Sequence, residues 1–100
     1  MNVYNITGEL TQELLAVGTG KTVSSIILTN IEGTNACTVD LYIEKKLSGK
    51  FYLMKDVSLP IGATLTNSNI GFNNGNDGYG LYIKLTKSAS ETPAVDVILR

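Results

Sequence analysis

From Thr22 to Leu65 the chain reads strand, turn, strand, turn, strand, with nothing chemically reactive interrupting it. Its clearest stretch is Ala36–Lys45. Cys37, Val39, Leu41 and Ile43 share one parity, while Thr38, Asp40, Tyr42 and Glu44 share the other. A period of two puts alternate side chains on opposite faces of a strand, so one face is buried and one meets water. The chain on either side must supply partners for that strand.

Those partners are readable. The sequence predicts strands over Asn2–Ile6, Thr22–Asn30, Phe51–Val57, Ala63–Thr66, Leu81–Thr86 and Ala94–Arg100. Glu9–Val17 admits a helix, because Leu10, Leu14 and Leu15 sit on one helical side. Its shortness and the Gly18-Thr19-Gly20 that ends it favour an extended segment. Turn signals fall between: Gly33 and Asn35 within Ile31–Asn35, Ser48-Gly49, and Pro60-Ile61-Gly62. Residues 67–80 form one long Asn/Gly-rich loop carrying Ile70, Phe72 and Tyr79. Seven or eight short strands with regular turns predict an all-β fold: a single antiparallel β-sandwich or jelly-roll-like barrel over residues 1–100.

Composition narrows the function classes. Hydrophobic residues make up 43% of the 100-residue chain, enough for one core without staples. The net charge is −1 and Lys45-Lys46 is a pair rather than a patch, so no nucleic-acid partner is expected. No stretch reaches membrane-spanning length, and no secretory signal is visible, so no membrane partner is expected. Cys37 is the single cysteine and falls on an inward parity, which makes it a small core residue rather than a nucleophile. The histidine count is zero.

Three motif echoes weaken on inspection. Gly20-Lys21-Thr22 imitates a phosphate loop, but Leu15 stands where that loop needs glycine, and β-branched residues follow instead of a helix. Asp77 is one carboxylate among neutral amides, too few for calcium. Asn5-Ile6-Thr7 matches a glycan acceptor pattern that has no force without a secretory route. No two carboxylates are singled out as an acid/base pair. The chain is therefore expected to be no enzyme and to need no metal and no cofactor.

The segments SSIILTN (24–30), VDLYIEKK (39–46), YLMKDVSLPIGATL (52–65), GLYIKLT (80–86) and VDVILR (95–100) resemble a pattern of small virion structural proteins of tailed bacteriophages. The resemblance implies a β-sandwich assembled in the host cytoplasm and located in the virion. As a capsid decoration (cement) protein it would bind the outer capsid shell. The alternative is a tail, baseplate, neck or fibre component. The implied partners are other virion proteins, the major capsid protein or tail proteins, together with self-association. The residues expected to form a protein interface are Ile70 and Phe72 of the long loop, Tyr79 at its end, the outward Tyr42 and Tyr82, and Ile31. A reading of another class is a carbohydrate-binding module with Tyr42, Tyr52, Tyr79 or Tyr82 as a stacking platform.

Overall fold

The first strand pairs with the last, the second with the second-last, and so inward to the middle of the chain. The computed structural model describes residues 1–45, 48–73 and 78–100. Among these residues ten strands run β1 (Asn2–Thr7), β2 (Gln12–Leu15), β3 (Thr22–Val23), β4 (Ile26–Asn30), β5 (Cys37–Lys45), β6 (Gly49–Leu59), β7 (Thr64–Asn67), β8 (Phe72–Asn73), β9 (Gly80–Lys87) and β10 (Ala94–Leu99). β1 pairs with β10, β2 with β9, β3 with β8, β4 with β7 and β5 with β6, all antiparallel. The chain is one long hairpin, closed at β5–β6 and rolled over on itself. Rolling adds the lateral pairs β10–β4 and β5–β9. The result is two four-stranded sheets, β1-β10-β4-β7 and β2-β9-β5-β6, with the short β3–β8 pair beside them. This is jelly-roll topology. Its Cα radius of gyration is 13.1 Å, the value of a compact chain of this length.

The alternation read in Ala36–Lys45 holds. Cys37, Val39 and Leu41 are buried, with Val39 opposite Leu85 and Leu41 opposite Ile83 of β9 in the same sheet's inner layer. Ile26, Leu28, Val95 and Val97 close the core from the other sheet and are fully buried. The sheets are also tied laterally: the Tyr4 hydroxyl donates to the Leu14 carbonyl oxygen. Glu9–Val17 resolves as extended, with β2 at its centre.

Thr22–Asn30 is not one strand. It breaks at Ser24-Ser25 and changes sheet. Both serine amides donate to the Arg100 carbonyl oxygen (2.7 and 2.9 Å), which turns the chain over the end of β10. β6 is longer than Phe51–Val57 and carries two register irregularities opposite β5. At one of them Asp56 takes φ 52°, a conformation that aspartate tolerates better than most residues. Its amide donates to Asp40 Oδ1 at 2.7 Å. Bulges of this kind bend an edge strand away from unwanted pairing.

Among the described residues Asn30 is the one buried polar side chain, at 1% exposure. Its amide nitrogen donates to the carbonyls of Asn35 (3.0 Å) and Leu59 (2.9 Å), and its Oδ1 accepts from the Glu32 amide (2.9 Å). A buried amide costs free energy unless its bonds are made. Here they are made to two separate loops, which fixes both against the end of β4.

Candidate functional site

The outer face of the β2-β9-β5-β6 sheet carries a cross-strand row: Glu13, Tyr82, Tyr42 and Tyr52. Tyr42 stacks on Tyr82 (centroids 5.6 Å, 21°) and tilts against Tyr52 (5.3 Å, 49°). Lys50 Nζ stands 4.8 Å from the Tyr42 ring centre, and Lys55 Nζ stands 4.8 Å from that of Tyr52. Tyr42 therefore points outward yet is only 4% exposed, covered by its neighbours. Tyr82 is half-buried, and burial followed by the Glu13 carboxylate pushes its phenol above 10.0. Gly80 makes room for it: a Cβ there would sit 2.9 Å from the Tyr82 hydroxyl and 3.1 Å from the Leu15 carbonyl oxygen. Tyr52 is the open member, 43% exposed, beside Lys55 and the Asp40 carboxylate that Lys55 approaches at 3.7 Å.

At the β5–β6 end of the sandwich, Phe51 meets Tyr79 edge to face at 5.9 Å, with Lys45 Nζ 5.6 Å from the Tyr79 ring centre. Ile43, Phe51, Leu53, Ile70, Phe72 and Tyr79 line a shallow groove of about 320 Å³ there. The long loop is thus partly structured. Phe72 belongs to β8 and is 7% exposed, a core residue instead of an open contact. Ile70 and Tyr79 are half-buried and pack against the core. Asp77 and Lys46 lie outside the described residues.

The outer face of the β1-β10-β4-β7 sheet is different. Its rows run Val3, Ile98, Ile27, Thr66 and Asn5, Asp96, Thr29, Thr64, followed by Thr7 and Ala94. Asp96 is the one charged side chain among these positions, and Asn5 Nδ2 donates to its Oδ1 at 2.8 Å. Thr29 and Thr64 share a hydrogen bond of 3.0 Å. None of these outward positions holds a lysine or glutamate, so the face is sparsely charged. Reasoning from the sequence missed it. The available signal was Ile27 and Ile98, apolar residues at outward parity in strands whose cores were already assigned.

Ile31 lies at the end where the loops 8–11, 31–36, 60–63 and 88–93 meet. It is 45% exposed, with Ile61 (53%) and Leu10 (82%) on neighbouring loops. Two carboxylates brace this end. The Thr34 hydroxyl and amide hold Glu32 below its ordinary 4.5, and the Ser88 amide does the same for Glu91. Cys37 lies beneath and is buried; burial and then these two carboxylates push its thiol up. A thiol kept protonated and covered is unreactive. Among the described residues no three His, Cys, Asp or Glu side chains converge as a metal site.

Fold and surface together define an antiparallel jelly-roll β-sandwich with one charged, aromatic outer face and one bare one. No family model matches the chain, and no curated protein matches it. Solved structures share its fold. A crystal structure of PirA superposes with a TM-score of 0.66 at 9% identity, over 98% of this chain and 93% of that one. A Yersinia pseudotuberculosis-derived mitogen (YPM) superposes at 0.54 and 17% identity, over 96% of this chain and 82% of its own. At such identities the likeness concerns the fold alone.

Proposed function

We propose that the chain is a non-enzymatic structural protein of a phage particle, a capsid decoration protein laid on the outer shell. The observation that carries this reading is the sparsely charged β1-β10-β4-β7 face, whose outward strand positions are Val, Ile, Thr, Asn and Ala apart from the Asp96 carboxylate. Surfaces of soluble proteins are usually rich in charge, and a face without it is suited to being covered. The resemblance of five segments to virion proteins supplies the setting, and jelly rolls are a recurrent capsid architecture. Leu10, Ile31 and Ile61 give a second apolar contact at the loop end. Many copies on one particle multiply weak contacts by avidity. The test is the protein content of purified particles. Copies on the order of hundreds place the chain on the shell. Low multiples matching the symmetry of a tail or baseplate move it there, and absence from the particle ends the proposal.

A second reading keeps a specific observation in its favour. Tyr52 presents an open ring edge beside Lys55, Asp40 and Asp56, a mixture suited to a sugar. The lysines over Tyr42 and Tyr52 weigh against a broad stacking platform. Glycan-array binding that vanishes in Tyr52→Ala would promote this reading above the first.

A further inference from the structure

The outward positions of β10 read Asp96, Ile98 and, directly after the strand, Arg100. Arg100 stays in the ladder: its amide donates to the Ser25 carbonyl oxygen at 2.9 Å, and Ser25 returns a bond of 2.9 Å. Alternation therefore places Arg100 on the same side as Asp96 and Ile98. The order is negative, apolar, positive. Ile98 is flanked across the sheet by Val3 and Ile27, which makes an apolar stripe at right angles to the strands.

Such a pattern is complementary to itself. Let a twofold axis lie in the plane of the face and run along the stripe. Each copy's Val3–Ile98–Ile27 row then meets the same row of the other. The strands reverse direction, so Asp96 of one copy lies opposite Arg100 of its mate, twice over. Outward neighbours are about 6.8 Å apart along a strand, which sets both charges one step from the axis. An isologous contact of this kind closes a dimer and leaves no open edge for further growth.

We infer that the outer face of the β1-β10-β4-β7 sheet is the contact between two copies of this chain, with the Val3–Ile98–Ile27 stripe packed on itself and paired Asp96–Arg100 contacts on either side. This deepens the reading of that face as a covered surface: a neighbouring copy covers it, which leaves the Leu10, Ile31 and Ile61 loop end for other contacts, and it does not depend on where the protein works. Four strands about 4.8 Å apart and four to six residues long make a face of roughly 350 Å². Stable complexes cover about 800 Å² per partner. The contact is therefore weak for free protein and becomes effective where copies are held close together.

The experiment is a concentration series of the purified chain, followed by amide chemical shifts and sedimentation. The expected result is concentration-dependent shifts confined to Val3, Asn5, Ile27, Thr29, Asp96 and Ile98, with dimer appearing by about 1 mM. Asp96→Arg and Arg100→Asp should each weaken association at least about tenfold, because like charges then face one another. The double exchange should restore it to within about threefold. Melting curves confirm that each variant is folded. No concentration dependence, shifts centred on Tyr52 and the opposite sheet, or a double variant no better than the singles would overturn the inference. The particle assay is separate: a dimer in solution with no protein in the virion removes the phage reading and leaves this contact standing.

Discussion

The two outer faces of this sandwich are built from the same alternation and do opposite things. On β2-β9-β5-β6 the outward residues are long: three tyrosines pack ring against ring, one pair stacked and one tilted, with lysines over two of them. They cover each other, so Tyr42 is as buried as a core residue while pointing away from the core. On β1-β10-β4-β7 the outward residues are short and leave the sheet bare. The long-chain face satisfies itself within one molecule. The short-chain face instead lines up Val3, Ile98 and Ile27 in one row, and that difference is why the proposed contact between copies is placed there.

The contrast can be broken by substitution. If the tyrosine row is an outer layer of core, Tyr42→Ala should cost about 3 kcal/mol, lowering Tm by more than about 10 °C. A thermal melt checks this, and a loss as small as that of an ordinary surface change would collapse the distinction. Gly80→Ala should cost about 1–2 kcal/mol, because its Cβ would press on the Tyr82 ring and on an unyielding backbone oxygen. Near-ultraviolet circular dichroism should show the ring displaced. Lys50→Ala should remove about 0.5–1 kcal/mol of cation–π contact with Tyr42, read by denaturant titration. On the bare face Ile98→Thr should change monomer stability by no more than about 0.5 kcal/mol. That measurement is made in dilute protein, where copies do not meet.

Glu32 offers a control at the loop end, away from either face. Glu32 and Glu91 are held below 4.5 by hydroxyl and amide donors in the folded chain. A carboxylate with a lowered folded pKa stabilises fully above its unfolded value and loses that contribution as pH falls through the folded one. Stability should therefore decline below about pH 4.5, and Glu32→Gln should flatten the decline. A slope unchanged in that variant would show that Glu32 does not supply it.

Much of the architecture was legible in the chain. Alternation from Cys37 to Leu41, and again from Leu81 to Leu85 and Val95 to Leu99, named buried residues correctly, while Ile43 is only half-buried. The Ser24-Ser25 break in Thr22–Asn30 was not legible, because it depends on the Arg100 carbonyl, which is remote in sequence. Phe72 read as a loop aromatic free for contact. Pairing of β8 with β3 turned it into core. Tyr42 and Tyr82 read as outward and are, but how far they are covered depends on which strands stand beside them.

The sequence by itself determined that this is an antiparallel β-sandwich of short strands, since side-chain period and turn chemistry are local properties. Only the tertiary structure decided the nesting of first strand with last, and so which outward residues became neighbours. Exposure depends on neighbours across the sheet, and hydrogen-bond register between remote strands sets those neighbours. For that reason the core could be read along the chain, whereas the bare face, with Val3, Ile27 and Ile98 in one row, appears only once the chain is rolled up.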